Sequence, residues 1–101
     1  MAYTVEITPA AHRLAKKFPK SIRKVIVNQA KWLARQPYAG KKLRGKFSFL
    51  YSCRFHHQGV SYRIIYEVSK KDQRLIVHLA ASRENLYRRL SEMRVKRLLG
   101  R

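Results

Sequence analysis

The chain has 101 residues, a length that predicts a single domain spanning residues 1–101. Its 24 Lys and Arg residues stand against 5 Asp and Glu residues, for a formal charge of +19, while the 46% hydrophobic content excludes a disordered chain. From residue 7 to residue 66 there are 14 Lys and Arg residues and no acid, so internal pairing cannot neutralise this stretch. Because such a surface repels itself in the compact state, we expect a polyanionic partner, and a nucleic acid fits best.

The same sequence argues against a membrane or an oxidising compartment. No apolar run reaches transmembrane length, and the opening Met-Ala-Tyr-Thr-Val-Glu lacks the basic and apolar regions of a secretory signal. The single cysteine, Cys53, cannot form an intramolecular disulfide and lies in an apolar stretch, where we expect a core position. We therefore predict a cytoplasmic protein with no membrane partner.

The first third of the chain predicts a short strand and two helices. Residues 2–7 alternate apolar and polar side chains, as in a strand. Thr8-Pro9 is a helix start, with Thr8 as the N-cap, and the apolar face of this helix extends to Phe18. Pro19 interrupts the pattern, and a second helix follows to about Gln36. The two helices are predicted to form an antiparallel hairpin, and the second carries the apolar stripe Ile22, Val25, Ile26, Gln29 and Leu33, with Trp32 at its margin.

The rest of the chain predicts a three-stranded meander and a last helix. Side chains alternate over residues 47–56, 60–68 and 74–80, with turns at 57–59 and 69–72 between them. A helix is predicted from about Arg83 to about Arg97. The resulting order, β-α-α-β-β-β-α, is an α+β fold in which a helical hairpin packs on one face of an antiparallel sheet and a short helix ends the chain.

Strand alternation also predicts a site. It sends Ser52, Arg54 and His56 to the sheet face opposite the helices, together with Arg63 and His78. Such a face suits a phosphodiester, with Tyr87 on one rim and, on the other, the cations of the 41–46 loop, Lys41, Lys42, Arg44 and Lys46. His56 and His57 point to different sides without a carboxylate cluster, so we expect no metal and no cofactor.

Four segments carry a family pattern that spans nearly the whole chain. They are Met1–Ile7, Lys42-Leu43-Arg44-Gly45, Tyr62-Arg63-Ile64-Ile65-Tyr66-Glu67-Val68 and Arg83-Glu84-Asn85-Leu86-Tyr87. Together with the order of the elements, they resemble the RelE/ParE toxins of bacterial and archaeal toxin–antitoxin pairs. The second and third segments are the most characteristic.

The resemblance implies an activity and a set of residues. RelE-like toxins enter the ribosomal A site and cut mRNA without a metal, by attack of the 2′-hydroxyl on the neighbouring phosphate. Carried over, the catalytic residues are Arg54, Arg63, Arg83 and Tyr87. The RNA-binding residues are expected to be Lys41, Lys42, Arg44, Lys46 and His56. The resemblance also implies a cognate antitoxin that covers the basic face, with the last helix as a docking element.

Two positions depart from RelE itself. Ser52 stands where RelE has a lysine, a candidate general base, and Ala81 stands where RelE has an arginine that steadies the transition state. The match is therefore better to the wider superfamily than to RelE proper. Because the cleavage needs a base, cations on the phosphorane and an acid, His56, His57 and His78 are candidates for the missing base.

Two other functions compete with RNA cleavage. A ParE-like toxin shares the fold but poisons DNA gyrase without cutting RNA. A non-enzymatic module would bind RNA or DNA through phosphate contacts alone.

Overall fold

The computed structural model describes residues 2–83, Asn85 and Arg88. Two helices and five strands follow one another in this part of the chain, with one 3-10 turn at Gly45–Phe47. Their bounds are β1 Thr4–Ile7, α1 Pro9–Ala15, α2 Lys20–Arg35, β2 Lys41–Lys42, β3 Leu50–His57, β4 Val60–Ser69 and β5 Arg74–Ser82. Arg83, Asn85 and Arg88 are helical, and the rest of the predicted last helix lies outside the described residues. Within the described part, neither helix is long and apolar enough to cross a membrane.

The strands form one sheet in the order β1-β5-β4-β3-β2. The predicted antiparallel meander of β3, β4 and β5 is confirmed, and Gln58 and Gly59 make its first turn with φ angles of 49° and 77°. Two-residue hairpins favour such positive angles, because the turn then matches the twist of the strands. Two features go beyond the prediction: β1 pairs with β5 in parallel, and the two-residue strand β2 pairs with Tyr51 and Ser52. The sheet is thus mixed at one edge and antiparallel elsewhere.

Local sequence explains the bounds of both helices. The Thr8 hydroxyl accepts a hydrogen bond from the amide of Ala11 at 3.1 Å, which confirms the predicted N-cap, and Pro9 occupies the first turn. Helix α1 ends at Ala15, earlier than expected, and Phe18 lies beyond it with its ring edge-on to Tyr62. Helix α2 runs between two prolines because neither Pro19 nor Pro37 can supply the amide that a helix interior needs.

The main core lies between α2 and the sheet. Ile26 and Leu33 of the predicted apolar stripe are buried against Ile64 and Tyr66 of β4. Ala30, which the stripe did not include, is buried with them. Cys53 is buried in the same cluster, which confirms its expected core position.

A second apolar cluster lies on the opposite face of the sheet and corrects the prediction there. Leu50, Ile65 and Leu79 are fully buried, packed against Phe47 and Phe49. The predicted strand over 47–56 is wrong at its start: β3 begins at Leu50, since the 3-10 turn after Gly45 takes up Phe47. These two aromatic rings therefore pack on the face that the alternation had assigned to polar side chains.

The Tyr66 hydroxyl connects this core to the segment that leads into β2. It donates to the carbonyl of Pro37 at 2.9 Å and accepts from the amide of Gly40 at 3.0 Å. A Cβ on residue 40 would collide with this hydroxyl, so only glycine fits there. Burial raises the pKa of Tyr66 to about 12, which keeps the hydroxyl protonated and able to donate.

We expect Tyr66→Phe to lower the free energy of unfolding by about 1–3 kcal/mol, because the Gly40 amide and the Pro37 carbonyl lose their partner. Denaturant unfolding measures this loss. In the wild type, the contribution of Tyr66 to the free energy of unfolding should be fully present below pH 10 and should fall as the pH rises towards 12. The reason is that the phenol ionises at a lower pH in the unfolded chain than in the folded protein. The variant should lose less over that interval. An equal loss in both proteins would contradict the assigned role of the hydroxyl.

Candidate nucleic-acid interface

Three positions form a row across the middle of the sheet. Arg54 of β3 is the direct cross-strand partner of Arg63 of β4, and Arg63 is in turn the partner of Ala81 of β5. Partnered side chains lie on the same face of a sheet, here the face opposite the helices. Two cations directly opposite each other destabilise a strand pair, so the pairing favours binding of an anion between them.

A β-bulge at His78 decides which side chain stands beside Arg63. Ile65 pairs with Leu79 and Tyr66 with Val77, so His78 is an extra residue in β5. The predicted alternation is therefore wrong after Val77: Leu79 lies with Ile65, and Ala80 joins the core on the helix side. The bulge brings Ala81 onto the face of Arg63, at the position where RelE has an arginine.

The two arginines of this row line a cleft of about 760 Å³ that continues over the edge of the sheet. Beyond Ser52, β3 has no outer partner among the described strands, because β2 is only two residues long. Five cations line the cleft, and no described acid does; they are Lys41, Lys42, Arg44, Arg54 and Arg63. The structure thus brings five of the nine predicted site residues together.

The acids that the structure describes are paired elsewhere. Glu6 and Asp72 lie 2.8 Å and 3.5 Å from the guanidinium of Arg74, at the start of β5. Glu67 is buried and lies 2.9 Å from Nε2 of His78. Arg63 is half-buried, and its Nε is buried without a hydrogen-bond partner in the described part of the chain.

Those of the other predicted residues that the structure describes do not line the cleft. His56 is exposed two residues beyond Arg54 and therefore lies on the same face. Lys46 is exposed, with its Nζ 5.3 Å from the centre of the Phe47 ring. Arg83 is exposed after the end of β5, and Tyr87 lies outside the described residues. Their roles stay predictions.

Of the three candidate bases, only His56 is both exposed and on the same face of the sheet as Arg54 and Arg63. His57 lies on the helix side of β3, because side chains alternate along a strand. His78 is buried and bonded to Glu67, which keeps it from a substrate in the cleft.

Two features of the cleft escaped the sequence analysis. Lys41 is the cross-strand partner of Ser52, so its side chain shares the face of the position where RelE has a lysine. Trp32 and Gln29 of α2 also line the cleft. The signal for Trp32 was its place at the margin of the apolar stripe of α2, where a side chain reaches the surface.

Solved structures place this architecture among the RelE-type toxins. A chain of the RelBE2 toxin–antitoxin complex from Mycobacterium tuberculosis is 28% identical, with a TM-score of 0.74 over 82% of this chain and 100% of that one. A mutant E. coli toxin RelE in the free state is 21% identical, with a TM-score of 0.72 over 91% of this chain and 94% of that one. The archaeal RelE–RelB complex from Pyrococcus horikoshii contains a chain that is 22% identical, with a TM-score of 0.55 over 82% and 98%.

The sequence itself carries the family assignment. Residues 5–91 match the model of the ParE-like toxin of type II bacterial toxin-antitoxin systems, and the chain belongs to this family. The resemblance inferred from the four segments is thereby confirmed. A search of curated protein sequences finds no significant match.

Because the paired arginines have no described carboxylate beside them, we expect inorganic tripolyphosphate to stabilise the protein at low salt. At a hundredfold excess over Kd the gain is about 2.7 kcal/mol, roughly 10–20 °C in the melting temperature. Arg54→Ala and Arg63→Ala should each reduce the shift, measured by thermal unfolding. Arg13→Ala removes an equal charge from the exposed side of α1 and should not. The same shift in all three variants would place the anion outside the cleft.

Proposed function

We propose that this toxin is an endoribonuclease that cuts mRNA in the ribosomal A site without a metal. The 2′-oxygen forms a bond to the adjacent phosphorus as the bond to the 5′-oxygen breaks, which leaves a cyclic phosphate and a 5′-hydroxyl. A base takes the 2′-hydroxyl proton, and an acid protonates the departing 5′-oxygen. The observation that carries the proposal is the cross-strand pair of Arg54 and Arg63 in a cleft without a described acid.

The two arginines are assigned to the phosphate. A guanidinium binds two phosphate oxygens with parallel N–H donors and stays charged throughout the reaction. Arg63 is half-buried in the central strand β4, so its backbone is held from both sides. Donors fixed in this way stabilise the charge that builds up on the phosphorane without reorganising during the step.

Lys41 and His56 are assigned to the two neighbouring tasks. Lys41, across from Ser52, supplies a cation near the position where RelE carries a lysine. His56, exposed on the same face as Arg54, is the candidate base, since histidine is the side chain suited to proton transfer near neutral pH. Arg83 and Tyr87 keep the roles that the family resemblance implies, a supporting cation and a stacking or proton-transferring side chain.

The outer face of α2 is assigned to ribosomal RNA. Lys20, Arg23, Lys24 and Lys31 are exposed there around Val27, away from the cleft. Such contacts bind phosphates over a broad area and carry little sequence information. This surface would hold the toxin on the ribosome while the cleft engages the mRNA in the A site.

We also propose a cognate antitoxin as the partner that neutralises the toxin. The similar chain from M. tuberculosis comes from a toxin–antitoxin complex, and the one from P. horikoshii comes from a RelE–RelB complex. An acidic segment of such a partner would complement the five cations of the cleft and exclude RNA from it.

A second candidate function is poisoning of DNA gyrase, which the family description favours because it names ParE. It predicts inhibited supercoiling or DNA breaks with purified gyrase, and intact mRNA in a translating extract.

In a translating extract, we expect the wild type to cut mRNA inside translated codons, as mapped by the 5′ ends of the fragments. Arg63→Ala should slow cleavage by at least about a hundredfold, since it removes a charged contact to the phosphorane. Tyr87→Ala is expected to abolish cleavage as well. Arg13→Ala, which removes a charge outside the cleft, is the matched control and should retain activity. Unchanged cleavage in both Arg63→Ala and Tyr87→Ala, each shown to be folded, would reject the nuclease assignment.

A comparison of two lysines tests the role of Lys41. Lys41→Ala should reduce the cleavage rate by about tenfold or more, because it removes a cation next to the phosphate site. Lys46→Ala removes the same charge from outside the cleft, five residues along the chain, and is expected to have a much smaller effect. Single-turnover cleavage rates of the two variants provide the test. Equal losses of rate would show that Lys41 contributes only its charge and has no specific role at the phosphate site.

A further inference from the structure

Trp32, the only tryptophan of the chain, lies partly in solvent at the wall of the basic cleft. The exposed fraction of its side chain is 43%, whereas the other large apolar side chains on the sheet side of α2 are buried or partly buried. An isolated exposed aromatic ring needs no explanation on a protein surface. This ring, however, shares one cleft with five cations and no described acid.

Contacts of α2 hold Trp32 at this place. Gln29, one turn earlier on the same side of the helix, donates from Nε2 to Sγ of Cys53 at 3.5 Å. Cys53 directly precedes Arg54 in β3. The wall that carries Trp32 is therefore tied to the strand that carries one of the paired arginines.

A positively charged groove with an aromatic side chain on its wall is the usual arrangement for binding single-stranded nucleic acid. The cations follow the phosphates, and the ring stacks on a base, which is sequence-tolerant because every base has a π-face. We propose that Trp32 stacks on an unpaired base of the RNA strand bound in the cleft. The base belongs to a nucleotide flanking the phosphate held by Arg54 and Arg63, because Trp32 is on the helix side of the sheet edge and the arginines are on the other.

This inference rests on the proposed function for its ligand, but it has a test of its own. The probes are two labelled single strands of equal length: a 2′-O-methyl RNA, which cannot be cleaved because its 2′-oxygen is blocked, and an abasic strand with the same number of phosphates. Anisotropy of the label reports binding to the full-length protein, and fluorescence of Trp32 reports stacking without interference from another tryptophan.

We expect the 2′-O-methyl RNA to quench the fluorescence at saturation and the abasic strand to bind without quenching. Trp32→Leu should weaken binding of the 2′-O-methyl RNA about five- to hundred-fold and leave the abasic strand unaffected. Trp32→Phe keeps an aromatic face and should retain most of the affinity, which separates stacking from damage to the fold. Ile7→Ala trims an exposed apolar side chain of β1, at the edge of the sheet opposite β2 and the cleft, and is the matched control.

Binding of the 2′-O-methyl RNA without quenching, or equal weakening of both strands by Trp32→Leu, would overturn the inference and leave the nuclease proposal standing. Binding of neither strand at low salt would also overturn it. The nuclease proposal is judged separately by mRNA cleavage in the Arg63→Ala variant, so the two failures are distinguishable.

Discussion

Positive charge exceeds negative charge so far in this chain that the positions of a few carboxylates determine where an anion can bind. Glu6 and Asp72 pair with Arg74 at the start of β5, and Glu67 is buried against His78. Arg54 and Arg63 therefore face each other without a described counter-charge. The mutual repulsion of the two guanidinium groups costs stability in the free protein, and a bound phosphate relieves it. The proposed binding of a polyanion therefore depends on the pairing of these two strands.

A small number of hydrogen bonds connect the hydrophobic core to the site. The Tyr66 hydroxyl bonds to the Pro37 carbonyl and the Gly40 amide in the segment between α2 and β2, and the absence of a Cβ on Gly40 allows this close approach. Lys41 follows directly and pairs with Ser52 at the edge of the sheet. Gln29 ties the other wall of the cleft to β3 through Cys53. Hydrogen bonds to the sheet thus hold both the segment that leads into β2 and the side of α2 that lines the cleft.

Much of the fold could be predicted from short-range signals. Thr8-Pro9 marked the start of α1, two prolines bounded α2, and alternation placed Arg54 and Arg63 on one face. The errors arose where local pattern and tertiary packing disagree. Phe47 and Phe49 continue the strand alternation in sequence, yet they belong to a 3-10 turn and its exit that cover Leu50 and Ile65. The bulge at His78 leaves no trace in the alternation of β5, because its neighbours on both sides are apolar.

The sequence by itself determined the class of the fold, the family and the cationic character of the site, because hydrophobic period, capping residues and charge are local properties of the chain. Only the tertiary structure decided which cations meet. Strand register placed Arg54 against Arg63 and Lys41 against Ser52, and the bulge placed Ala81 beside them. It also decided that Trp32 lies at the wall of the cleft. Register and helix packing depend on contacts between residues far apart in the chain, which the pattern within a single segment does not contain.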